Sequence, residues 1–410
     1  MKIMVILKTL SEILLILIVV NTSLIARDFL YYSPSPDGAV SANEKPLKVY
    51  ILAGQSNMVG HAAVSTFDYM EKYPVTAPIL KEMRNADGTM RVFDDVWISS
   101  IGSAEKERYG KLTVGYGASN DLKIGPEYTF GIYMQKFVDE PILIIKTAWG
   151  GKSLHTDFRP PGAGPYEFNE FQLNLLKERG MDIEKVKADK IKDAGVNYCL
   201  MIGHVKSVLD DIQRVYPHYN PDQGYELAGF VWFQGWNDMV DSQVYPNRTN
   251  PGGYHMYSDL LAQFIRDVRQ DLTAPQMPFV IGVMGVGGET TDHQKYFRQA
   301  MAAPAYLSEF RDNVHVVHTE KYWDPVLGEL AERWGQVRNK SRSLNQDESL
   351  SPSRREEILD ELKAELFTPE ELELYHSGTS NFAFHYLGAA KIIARIGKAF
   401  AESLFGGKDK

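Results

Sequence analysis

The chain has 410 residues, 44% of them hydrophobic and 24% charged, with a net charge of −9 and a single cysteine, Cys199. An acidic balance argues against a nucleic-acid binder, which carries a basic stripe. A lone cysteine excludes an internal disulfide and a cysteine-rich zinc site, and the length suits one elaborated α/β domain or two smaller ones.

The first 26 residues read as a secretory signal peptide. Lys2 and Lys8 precede the apolar run Ile13 to Val20, and small and polar residues follow up to Ala26. That run is short for a membrane span, and nothing after it is long and apolar enough to be one. Residues 27–45, with Ser33-Pro34-Ser35-Pro36-Asp37-Gly38, read as a linker or loose arm. The predicted location is secreted or periplasmic.

From Leu47 a β-branched run ends abruptly at Ala53-Gly54-Gln55-Ser56-Asn57-Met58, which reads as a buried strand breaking into a tight turn. Ser56 then stands at a strand's carboxyl end, where open α/β sheets hold their ligands. It is either a nucleophile or the cap of the next helix. Residues 63–124 read as loops with a short helix, and Gly125-Pro126-Glu127 opens a helix with proline at its first position. Pro141–Thr147 is a second buried strand, ending in Ala148-Trp149-Gly150-Gly151. Helical spacing runs from Tyr198 to Val215, and Gly229–Phe233 is a third strand, ending in Gln234-Gly235-Trp236-Asn237-Asp238.

An amphipathic helix follows from about Met256 to Leu272, then strands at Phe279–Met284 and Val314–Val317. His315 and His318 fall on opposite faces of that last strand, so joint metal ligation is not expected. Residues 325–377 are crowded with charge and read as a peripheral helical insertion, with a capping box at Thr368-Pro369-Glu370-Glu371. Ser380–Tyr386 leads into a last helix from Leu387 to about Leu404. Strands alternating with helices predict a parallel sheet covered on both faces.

Ser56, Gly151, Asn237 and His385 thus lie at turns that a parallel sheet places on one edge. Each has a plainer reading: Gly151 a turn glycine, Asn237 a loop brace, His385 a buried core histidine. Together, and in this order, they outweigh those readings.

Gly54-Gln55-Ser56-Asn57-Met58, Lys146 to Leu154, Trp232 to Asp238 and His385 resemble the sequence blocks of the SGNH hydrolase superfamily, within it the sialate O-acetylesterase-like carbohydrate esterases. The resemblance implies a flavodoxin-like three-layer α/β/α fold, formed by residues 46–324 and 378–410, with a central parallel sheet. It also implies a serine esterase that removes acetyl groups from a carbohydrate through an acyl-enzyme, with no cofactor, no metal and no nucleic-acid or membrane partner once the signal is removed. In that pattern Ser56 is the nucleophile and His385 the general base. Ser56, Gly151 and Asn237 form the oxyanion hole, Gln55 and Gln234 touch the substrate or hold the turns, and Trp149, Trp236 and Tyr386 stack on sugar rings or pack in the core.

Two places depart from the pattern. The acid usually found three residues before the histidine is Phe382, and a glutamate often found in the third block is Trp236. A Ser–His dyad, a substitute acid or lost activity would each account for this. Asp238 is the first substitute to consider, with bracing of its own turn as the competing role. The alternatives to the esterase are a carbohydrate-binding relative with impaired catalysis and an esterase of non-carbohydrate substrates.

Overall fold

The computed structural model describes residues 45–103, 106–119, 122–288 and 292–406. The expected signal peptide and nearly all of the expected linker lie outside the described residues. Among the described residues nine strands follow in chain order: β1 (Leu47–Gly54), β2 (Ala62–Ala63), β3 (Phe93–Gly102), β4 (Arg108–Leu112), β5 (Lys123–Ile124), β6 (Ile142–Ala148), β7 (Tyr225–Phe233), β8 (Phe279–Val283) and β9 (Val314–His318). Seven of them form one sheet in the order β4-β3-β6-β1-β7-β8-β9, while β2 and β5 make a small antiparallel pair.

The five strands expected from apolar runs are present and parallel. They read as continuous hydrophobic runs because both faces are covered: Val49 to Gly54 of β1 and all of β6 are buried. Strand β3, in the stretch expected to be loop, also joins parallel to β6, and β4 turns back antiparallel on its outer side. The sheet is therefore mostly, not wholly, parallel.

Alternation along β7 sorts the helices onto two faces. Phe230 and Trp232 point to Phe264 of the helix His255–Asp271, at ring-centroid distances of 6.0 and 4.3 Å. Phe233, of opposite parity, meets Phe400 of the C-terminal helix Ala390–Gly406 at 5.4 Å. That C-terminal helix also packs on the helix Pro126–Phe137.

Register is what positions the site. Gly54 pairs with Ala148 of β6 and with Phe233 of β7, and Gly102 of β3 also pairs with Ala148. Four strands therefore end level on one rim. A side chain at position 54 would put its Cβ 2.1 Å from the Phe233 carbonyl oxygen, so glycine is required for the strands to lie this close.

Residues 325–378 form three helices, Pro325–Gln346, Pro352–Leu366 and Pro369–Gly378. They are capped by Asp324, Ser351 and a Thr368/Glu371 capping box. No helix among the described residues is long and apolar enough to cross a membrane.

Candidate active site

Beyond Gly54 the chain enters a single helical turn, Ser56–Val59, whose N-cap is Gln55. Ser56 is therefore the first helical residue and not the cap, so its hydroxyl is not spent on the helix. It is 8% exposed and lines a cavity of about 320 Å³ on the rim, together with Gly151, Asn237 and His385. The rim thus brings together the four positions that sequence reasoning singled out. Among the described residues' hydrogen bonds none joins Ser56 Oγ to His385; such bonds are often long without substrate and tighten in the reacting complex.

Gln55 lines the cavity but is almost wholly occupied by structural work. Its Oε1 accepts from the Gly235 N–H at 2.9 Å, and its Nε2 donates to Asn237 Oδ1 at 2.9 Å. The Asn237 oxygen is thereby committed, which leaves its NH₂ as the group available to a ligand. Gly151 adopts φ +71°, a backbone conformation that favours glycine. Among the described residues, neither the Ser56 nor the Gly151 N–H has an acceptor in the protein.

Asp238 is not the substitute acid. It is fully buried and its carboxylate accepts four bonds away from the histidine, from Leu154 N (2.8 Å), His155 N (3.1 Å), Gln234 Nε2 (2.7 Å) and Tyr245 OH (3.1 Å). It ties the turn after β7 to the loop carrying Gly151, the bracing role.

Two of the expected substrate-contacting residues lie outside the cavity for similar reasons. Gln234 Nε2 donates to the Lys152 carbonyl and to Asp238, and its Oε1 accepts from Tyr257 OH. Trp149 is buried against Phe158, with ring centroids 6.0 Å apart. Trp236 does line the cavity, tilted against Phe384 at 5.7 Å.

The partner of His385 is Asn381. Its Oδ1 lies 2.8 Å from His385 Nδ1 and also accepts the Phe382 N–H at 2.8 Å. Two donors converging on one atom identify it as the amide oxygen, so His385 Nδ1 carries the hydrogen and Nε2 keeps its lone pair. Burial alone pushes the His385 imidazole down to about 4.

Two further groups escaped the sequence reading. His61 stacks flat on His385, centroids 3.8 Å apart and planes 3° apart. Lys146, buried on the cavity wall, spends its ammonium on the carbonyls of Val59 (2.8 Å) and Tyr116 (2.9 Å) and on Glu127 (2.7 Å). Burial pushes Lys146 down, and the Glu127 carboxylate beside it pulls it back up.

The loop that delivers His385 is held against backbone preference. Tyr386 and Leu387 have φ of +51° and +63°, so the last helix begins at Ala390, later than the predicted Leu387. Left-handed non-glycine residues persist where surroundings over-determine them. Tyr386 is fully buried, accepts the Gly285 N–H at 2.7 Å and donates to Thr319 Oγ1 at 2.7 Å, because the Thr319 hydroxyl gives its own hydrogen to the Val283 carbonyl. Asn57 Nδ2 donates to the Phe384 carbonyl at 3.2 Å, tying the serine turn to the histidine loop. Among the described residues no group of three or more His, Cys, Asp or Glu side chains could hold a metal ion.

A family model described as carbohydrate esterase, sialic acid-specific acetylesterase, matches residues 46–188 and 198–323. His385 lies beyond that span. No curated protein sequence matches. Among solved structures, the chain is similar to a protein from Arabidopsis thaliana at 18% identity, covering 67% of this chain and 86% of the other, with a TM-score of 0.37. It is also similar to a novel carbohydrate acetylesterase from Xanthomonas citri at 14% identity, 68% and 51% coverage and TM-score 0.39, so this chain spans about half of that protein. NanS matches at 13% identity, 67% and 78% coverage and TM-score 0.36.

Proposed function

The chain belongs to the sialic acid-specific acetylesterase family of carbohydrate esterases, and from that premise we propose that it hydrolyses O-acetyl esters of a sialic acid-type sugar by Ser56–His385 catalysis. The observation that carries this reading is the convergence of Ser56, Gly151, Asn237 and His385 on one cavity.

In the reaction, Ser56 Oγ attacks the acetyl carbonyl carbon and its proton passes to His385 Nε2. The tetrahedral oxyanion accepts from the Ser56 and Gly151 N–H groups and from the Asn237 amide, a donor set fixed in advance by Gln55 and Asp238. Collapse breaks the ester C–O bond, and His385 passes its proton to the departing sugar oxygen, which leaves as a hydroxyl. Water, deprotonated by His385, then attacks the acetyl-Ser56 carbonyl; collapse breaks the acyl carbon–Ser56 Oγ bond, the His385 proton returns to Oγ, and acetic acid leaves.

Asn381 supplies what an acid supplies in other triads: it fixes the tautomer and the edge of the ring. Asparagine performs this task beside histidine in papain-like proteases. A neutral amide adds no charge to stabilise the imidazolium, which fits a histidine held low by burial alone.

The test is acetate release from O-acetylated sialic acid and p-nitrophenyl acetate. Cleavage that Ser56→Ala abolishes supports the reading. Sugar binding without cleavage by the unaltered protein indicates the binding relative, and preference for lipid esters indicates the non-carbohydrate esterase.

A further inference from the structure

His61 stands on the cavity wall beside the proposed machinery, yet none of the proton transfers above uses it. It follows the serine turn, far in sequence from His385, and the two loops are stitched together around it. Ser380 Oγ lies 3.2 Å from the His61 carbonyl and 2.7 Å from that of Gly388, and it accepts the Ala63 N–H at 3.1 Å. Asn381 spans both rings at their edges. Its Oδ1 takes the His385 Nδ1–H, and its Nδ2 lies 3.4 Å from His61 Nδ1. His61 Nδ1 is thus the acceptor, and the neutral ring carries its hydrogen on Nε2.

An imidazole held by one hydrogen bond to a neutral amide can swing about that bond. The face of His61 removes that freedom by lying parallel on His385, while Phe384 meets His385 edge-on at 4.4 Å and 70°. We propose that His61 is a positioning residue for His385, its ring face and the Asn381 amide together doing the orienting work of the missing carboxylate. This rests on the reading of His385 as the base.

The charged groups acting on the pair fit such a clamp. Burial lowers the His61 imidazole first, and then protonated His385, Lys123 and Lys146 lower it further. His61 is therefore uncharged whenever His385 is, and the rings stack without repulsion. The stack also shields one face of His385 from water, which contributes to the burial that holds it low.

The experiment compares the full-length protein with its His61→Ala, His61→Leu and His61→Phe variants. Turnover of p-nitrophenyl acetate is followed against pH, and the His385 ring is titrated by NMR. Loss of the flat face in His61→Ala or His61→Leu is expected to lower kcat about tenfold or more with KM nearly unchanged. It is also expected to move the His385 titration up from about 4 toward the ordinary ~6.5.

His61→Phe, which keeps a flat ring, is expected to stay within about threefold of wild type in kcat and to leave the titration low. Should the alanine variant fail to fold, the leucine variant, which fills the space without a flat face, carries the comparison. Unchanged kcat and titration in the leucine variant would overturn the proposal, and so would a phenylalanine variant as impaired as leucine. Turnover surviving Ser56→Ala would remove the nucleophile assignment instead, while the ring titration would still test the clamp.

Discussion

At the scale of single residues, Asn381 presents a neutral oxygen where other triads present a charge, and the difference has a sign that can be measured. In the proposed reaction His385 serves as base only when unprotonated. With its imidazole pushed down to about 4 by burial, kcat/KM should stay level from neutral pH downward and fall only near pH 4. The same ring in the unfolded chain titrates near ~6.5. The unfolded state therefore takes up the proton first, and this group's contribution to stability, whole above ~6.5, is lost as pH falls toward 4. Equilibrium unfolding as a function of pH measures that loss.

Replacing Asn381 by Asp places an anion against Nδ1–H and should raise the acidic limb by about one to three pH units. Asn381→Ala removes the acceptor of Nδ1–H, leaving only the ring contacts to hold His385, and should lower kcat by about 10²-fold or more with little change in KM. The proposed oxyanion donor gives another readout: Asn237→Ala should cost about 10²–10³ in kcat. Steady-state kinetics on p-nitrophenyl acetate would check each.

At the scale of elements, the loops that carry the site are held by groups that never reach the cavity. Tyr386 anchors the histidine loop through two hydrogen bonds in the core, to Gly285 and Thr319. Tyr386→Phe strands the Gly285 N–H and should destabilise the protein by about 1–3 kcal/mol, read by chemical denaturation. It should also lower kcat by loosening the left-handed segment after His385.

The strands were legible wherever an apolar run was unbroken. Strand β3 was not, because Asp94, Asp95, Ser99 and Ser100 interrupt it. Asp94 and Asp95 stay exposed, Asp94 pairing with Lys111 of β4, while buried Ser99 bonds Glu107 and His204, a tertiary match no local pattern announces. Nor could the sequence show that Tyr386 and Leu387 would turn left-handed and delay the last helix, since each alone is a fair helix former.

At the scale of the whole molecule, the sheet's register made the site readable. Once β1, β6 and β7 are parallel and end level, the turns after them must meet. That argument locates Ser56, Gly151 and Asn237 without any side-chain detail. It fails for Gln234, Trp149 and Asp238, which share those turns but point into the protein, because a strand-end motif does not reveal which of its side chains faces out. It could not find His61 or Asn381 either. Their partnership with His385 depends on how two loops far apart in the chain cross, and neither loop carries a spacing that announces the other.

The proposed hydroxyl and imidazole come from opposite ends of the folded region, one just after its first strand and the other just before its last helix. A polypeptide cut short or clipped apart between them would hold only half of the reacting pair. Premature termination, or proteolysis followed by separation of the pieces, should therefore give fragments in which the proposed Ser56–His385 proton transfer cannot occur, a loss that p-nitrophenyl acetate turnover by the separated pieces would measure.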